Sequence, residues 1–96
     1  FPKPGQGPSK GKMQSGFFKL KIIGSINGLQ KNSVTVLGDS DPGYSATAKM
    51  LTESALSTLL NQNKILKKYG VLTPASGIGL TLVERLKGKG IIFKVD

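Results

Sequence analysis

The stretch Asp39-Ser-Asp-Pro-Gly-Tyr44, followed by Ser45-Ala-Thr-Ala-Lys-Met-Leu-Thr-Glu-Ser-Ala-Leu-Ser-Thr-Leu-Leu60, sets the architecture. Asp and Ser accept hydrogen bonds from the nearby backbone, Pro42 fixes φ and Gly43 permits φ > 0, so a turn precedes a helix. The helix is expected from Tyr44 to Leu60. Ala48, Leu51, Ala55 and Leu59 form one row at helical spacing, and Thr52, Leu56 and Leu60 form its neighbour, with Met50 beside them. This apolar stripe needs a partner. Lys49, Glu53 and Ser54 lie away from it. Glu53 follows Lys49 by four residues, the less favourable order for an ion pair.

Upstream of the turn, Gly16-Phe-Phe-Lys-Leu-Lys-Ile-Ile-Gly24 alternates at period two, with Phe18, Leu20 and Ile22 on one face. Ser33-Val-Thr-Val-Leu-Gly38 reads as a second strand. Asn27-Gly28 lies between them and is a strong hairpin signal. The spacing predicts an antiparallel hairpin (16–24, 33–38) with a loop somewhat longer than two residues. Residues 1–15 hold Pro2, Pro4 and Pro8 among Gly5, Gly7 and Gly11. Proline lacks a donor and glycine loses much backbone entropy on folding, so an extended segment without a helix is expected there.

Downstream, Asn61 to Tyr69 is a polar connection and Gly70-Val-Leu72 a short extended piece. Thr73 can cap a helix whose first position is Pro74. That helix is expected over 74–87, with Ile78, Leu82 and Leu86 on one face, and it ends in Lys87-Gly-Lys-Gly90. Ile91-Ile-Phe-Lys-Val95 is a final strand. The class is therefore α+β.

Composition narrows the chemistry. A chain of 96 residues buries roughly 60–65% of its unfolded surface, so its core is modest. It has no cysteine and no histidine, which removes disulfides, thiolate metal sites and the commonest general base. No apolar run approaches the ~20 residues of a membrane span. The net charge is +9, but Arg85 is the single arginine and the lysines are spread along the chain. Such a balance fits a small basic module for nucleic acid or an anionic surface. It fits a solvated lysine-rich surface better, because specific phosphate or base readout favours the arginine fork.

No catalytic constellation assembles, and no serine–lysine pair is singled out by spacing. Asp39 and Asp41 could hold a cation, but two acids before Pro-Gly ordinarily make turn hydrogen bonds. Gly77-x-Gly79 follows an extended piece and opens a helix, as a dinucleotide fingerprint would, yet the third glycine position holds Leu82. Close helix packing explains these glycines more simply. Tyr44, just after the turn, reads as a core or interface anchor.

Taken together, several pieces resemble the C-terminal end of the saccharopine dehydrogenase-like oxidoreductases. They are Phe1-Pro-Lys-Pro-Gly-Gln-Gly-Pro-Ser9, Gly16-Phe-Phe-Lys-Leu20, Gly38-Asp-Ser-Asp-Pro-Gly-Tyr44 with Ala46-Thr47 and Met50-Leu51, Gly70-Val-Leu-Thr-Pro-Ala75, and Leu82-Val-Glu-Arg-Leu86 with Gly90-Ile-Ile-Phe93. Ser76-Gly-Ile-Gly79 departs from the family's more usual Ala and Met. The resemblance implies a parent with an N-terminal Rossmann domain binding NAD(P) and a second domain built on a mixed sheet. Residues 16–96 would be part of that second domain, with the hairpin at the sheet's edge. The first residue, Phe1, fits a chain whose natural start lies upstream. On this reading the fragment holds no cofactor, metal or catalytic residue of its own. Its partner is the remainder of the parent chain, with a homo-oligomer possible and no specific nucleic acid. The parent would be cytoplasmic, and Asp41, Tyr44, Thr47 and Thr73 are the candidate interdomain contacts.

Overall fold

The computed structural model describes residues 3–96; Phe1 and Pro2, which open the expected extended segment, lie outside the described residues. The elements in order are α1 (Lys10–Ser15), β1 (Phe18–Ile26), β2 (Leu29–Gly38), α2 (Ser45–Leu60), α3 (Pro74–Gly77), α4 (Leu80–Lys87) and β3 (Ile91–Val95). The α+β class holds. The hairpin and the final strand form a three-stranded antiparallel sheet in the order β1-β2-β3.

The hairpin is tighter than expected. Its strands reach the turn itself, so the loop is only Asn27 and Gly28. Both have positive φ, 52° and 79°, as a two-residue type I′ turn demands. Asn and Gly adopt that conformation at little cost. A register shift at Gly24/Ser25 absorbs the odd residue, Lys31. Leu20 stands opposite Val36 and Ile22 opposite Val34, while Phe93 and Val95 of β3 face the same two residues from the other side. Directly opposed residues share a face, so these six form one apolar surface. At its end Phe18 lies over Gly38, where any added Cβ would overlap the ring.

The core sits at that end. Val36, Ala46, Leu86 and Ile91 are buried together, with Phe18, Val34, Met50 and Leu82 packed around them. The face of α2 turned inward is Ala46, Glu53 and Ser57. The leucine stripe points outward, with Leu51 and Leu59 71% and 67% exposed. The helix packs chiefly against α4, and the small Ala46 also reaches Val36 and Ile91 of the sheet. Glu53, between Ala46 and Ser57, is buried and receives the Arg85 Nε–H at 2.7 Å, and Arg85 Nη1 donates to Asn61 Oδ1 at 2.9 Å. Glu53 therefore pairs across to α4, and Lys49 pairs instead with Asp39 at 2.9 Å.

Two further expectations need correction. Residues 10–15 form the short helix α1, where no helix was expected. The prolines all precede it, and the Ser9 hydroxyl caps it by accepting the Lys12 N–H at 3.3 Å. The helix expected over 74–87 is broken into α3 and α4 at Ile78–Gly79. Gly79 has φ +76°, and a Cβ there would come 2.8 Å from Leu66, so the break makes room for Leu66 against bare backbone. The short piece Gly70-Val-Leu72 lies outside the sheet, and Val71 is fully exposed. The expected cap of α3 is present: the Thr73 hydroxyl accepts the Ser76 N–H at 3.1 Å, Ser76 Oγ accepts the Thr73 N–H, and Pro74 opens the helix.

Arg85→Met leaves the Glu53 carboxylate buried without its cation. It is expected to lower stability by about 3–5 kcal/mol, and Glu53→Met in the same chain restores most of that loss. Urea unfolding of the two variants and the double variant measures both effects. Gly79→Ala forces a left-handed residue against Leu66 and costs about 1–3 kcal/mol in the same assay.

Candidate functional site

Three of the four candidate contacts meet at the start of α2. The Asp41 carboxylate accepts the Tyr44 N–H at 2.8 Å, and its backbone carbonyl accepts the Ala46 N–H at 2.8 Å. Asp41 thereby does the capping that Tyr44, at the cap position, does not do with its own side chain. The Asp41 N–H donates to the Met13 carbonyl at 3.0 Å, which ties α1 to the turn. Gly16 permits that approach, since a Cβ there would lie 3.0 Å from the Asp41 backbone. Thr47 Oγ1 donates to the Pro42 carbonyl. The Tyr44 ring lies against Gly7 and remains 55% exposed. Thr73 is not part of this cluster. It caps α3 and lines a shallow groove of about 340 Å³ beside Leu51, Ala55 and Thr58 of α2. A line of candidate contact surface therefore runs along the outer side of α2, from Tyr44 through Leu51 to the Thr73 groove.

On the other side of α3 and α4 lies a larger apolar groove of about 720 Å³. Met50, Leu66, Ile78, Leu82, Leu86 and Phe93 line it, and Lys64 is the one charged residue of its wall. Sequence reading placed Ile78, Leu82 and Leu86 on one face but did not foresee the groove. It depends on the chain doubling back at Leu66, which no periodicity signals.

Charged groups are used to hold the fold. Ser33 Oγ donates to Asp96 Oδ2 at 2.8 Å, and Thr35 Oγ1 donates to both carboxylate oxygens at 3.0–3.1 Å. The Asp96 N–H continues the ladder by donating to the Ser33 carbonyl at 3.0 Å. The Ser33 hydroxyl, then that of Thr35, with Lys21 and Lys94 nearby, hold the Asp96 carboxyl below its ordinary value. The Lys49 ammonium does the same for Asp39. Asp39 and Asp41 are thus occupied as an ion pair and a cap. Among the described residues no three histidine, cysteine or acidic side chains gather as a metal-binding group. No described helix is long and apolar enough to cross a membrane.

The Gly77-x-Gly79 segment does not make a phosphate cradle. The amides of Gly77, Ile78 and Gly79 donate to the carbonyls of Thr73 and Pro74, and Leu66 covers Gly79. The amides of the Gly-x-Gly turn are thus already spent within the chain, whereas a phosphate cradle leaves them free. Arg85, the single arginine, is engaged with Glu53 and Asn61. Its being the one arginine was a signal that it had a specific partner, but the sequence did not say which.

No family model matches the chain, and no solved structure matches it. It is 36% identical over 90 residues to a Mycobacterium tuberculosis protein provisionally named a trans-acting enoyl reductase, covering 94% of this chain and 22% of that one. It is 32% identical over 92 residues to a trans-acting enoyl reductase of Mycobacterium bovis, covering 96% of this chain and 22% of the relative. The corresponding enzyme of Mycobacterium ulcerans is 32% identical over 91 residues, again across 22% of its length. The chain is therefore homologous to a part of the trans-acting enoyl reductases, and it spans 22% of the length of these relatives.

The Asp96 clamp makes a pH prediction. A carboxyl held low in the folded state stabilises the fold fully above its unfolded value near 3.8, and that contribution is lost as pH falls through the lower folded value. Asp96→Asn is expected to lower stability at neutral pH, and the gap to the parent sequence is expected to close as pH drops below 3.8. Thermal melts across the acid range, compared for the two chains, measure that closing gap.

Proposed function

We propose that this chain is the C-terminal part of an NAD(P)-dependent oxidoreductase of the saccharopine dehydrogenase-like kind, akin to the trans-acting enoyl reductases. The observation that carries the reading is the homology over 94–96% of the chain to 22% of much longer reductases. The fold agrees with such a role. Among the described residues its buried apolar set is five, while α2 turns a leucine stripe outward. A helix with an unpartnered apolar side is half of an interface. Asp41, Tyr44, Thr47 and Thr73 border that side, and they are the proposed contacts with the rest of the parent.

On this reading the chain does not catalyse alone. The nicotinamide cofactor binds to a Rossmann domain in the remainder of the parent. The chain completes the second domain and supplies the helices of the interdomain face. The parent is cytoplasmic, and its reduction of an enoyl substrate would follow the relatives' named activity. The basic-module reading retains one structural feature, the Lys21–Thr35–Lys94 row across the sheet. The Asp96 carboxylate already lies on that row and neutralises part of it. The reductase reading therefore stands first.

NADPH fluorescence titration of the full-length protein and of residues 1–96 tests the proposal. Binding by the full-length protein and none by the fragment is expected. A full-length protein that binds neither NADH nor NADPH would sink it, and so would saturable cofactor binding by the fragment. The interface makes a separate prediction. Leu51→Asp leaves the unfolding curve of the fragment nearly unchanged, because Leu51 is 71% exposed there. In the full-length protein it is expected to cost about 2–4 kcal/mol, the scale of placing a charge in an apolar contact. Denaturant unfolding of both proteins checks it.

A further inference from the structure

The sheet is amphipathic, and only part of its apolar face is covered. Near Phe18, Val36 and Ile91 that face lies beneath α2 and α4. Toward the hairpin turn it is bare: Leu20, Ile22, Ile26 and Leu29 are 56–65% exposed, and Val95 is 77% exposed. Register places Leu20, Ile22 and Val95 on the covered side's continuation, and Ile26 pairs directly with Leu29 at the tip. The opposite side is mixed: it carries Lys19, Lys21 and Lys94 among Ile23, Leu37 and Ile92, with Asp96 seated on Ser33 and Thr35. Lysines confined to one side, and an apolar set free of them on the other, mark which side is built for burial.

We propose that a helix from the remainder of the same polypeptide lies across this bare half of the sheet, next to α2 and α4. This rests on the reading of the chain as part of a longer reductase. Three observations select that occupant. The relatives have more than three quarters of their length outside the matched 22%, so a covering segment has a source in the same chain. The bare stretch from Leu20 to Ile26 is roughly 20 Å long at the rise of a strand, room for one helix of about 10–12 Å and its flanking side chains. Helices already cover the neighbouring part, and a two-layer domain continues its layer in kind. A second copy of the chain is the competing occupant, and charge opposes it, since each copy carries a net +9. Phe93 belongs both to this face and to the wall of the 720 Å³ groove. The same helix would therefore also close the groove's mouth against Phe93.

The chain contains no cysteine, so single thiols can report on each side of β1. Ile22→Cys samples the bare apolar side, Leu29→Cys the hairpin tip, and Lys21→Cys the lysine side. Each is reacted with a neutral maleimide in residues 1–96 and in the full-length protein freed of other reactive thiols. Expected is fast labelling of all three in the fragment. In the full-length protein, Ile22→Cys and Leu29→Cys slow by at least about tenfold, the effect of one modest local opening step, while Lys21→Cys changes little. Equal rates for Ile22→Cys in both proteins would overturn the inference while leaving the longer reductase intact. Slow labelling in the fragment, with sedimentation as a dimer, would also overturn it by assigning the face to a second copy. Failure of the reductase reading shows elsewhere, as loss of NADPH binding by the full-length protein, whatever the labelling rates.

Discussion

The Glu53–Arg85 pair is the constraint on which the packing of this small fold depends. Glu53 is almost fully buried on α2, and Arg85 reaches it from α4 while its second arm holds Asn61 at the end of α2. A carboxylate in that position is tolerable only with a cation and good geometry. The pair therefore sets the rotation of α2. With Glu53 inward, Ala46 and Ser57 face the core and the leucine stripe faces out. Rotating α2 to bury the leucines would take Glu53 away from Arg85 and leave that arginine without its carboxylate.

This orientation explains the division of the molecule into a small closed core and large open apolar surfaces. The core at Val36, Ala46, Leu86 and Ile91 joins the two helices to the sheet's near end. The outer side of α2, the groove at Leu82 and Phe93, and the far half of the sheet remain uncovered. Isolated apolar residues on a surface need no explanation, but contiguous ones do. Homology to 22% of longer reductases fits the proposal that a larger body covers these surfaces.

Much of the architecture was legible because it rests on short-range rules. Period-two alternation and Asn27-Gly28 defined the hairpin, Thr73-Pro74 the helix start, and Lys87-Gly-Lys-Gly90 its end. The errors lie where a distant residue intervenes. The 74–87 helix breaks because Leu66 packs onto Gly79, a contact between positions that share no periodicity. Helix α1 went unseen because the Pro/Gly signal of the preceding residues spread over a segment that Ser9 caps locally. Of the candidate contacts, Asp41, Tyr44 and Thr47 do gather at one helix end, and each also has an internal packing or hydrogen-bonding role there. Thr73 stands at another groove.

The amino-acid order by itself determined the α+β class, the strand faces and the caps, because these depend on φ preferences and on spacings of two to four residues. It also excluded histidine and cysteine chemistry outright. The tertiary structure decided which side of α2 is buried, that Arg85 belongs to Glu53, and that Asp96 locks onto Ser33 and Thr35. Those outcomes turn on desolvation. A charge goes inward only where a partner from a remote part of the chain meets it, and no local pattern records where that meeting occurs.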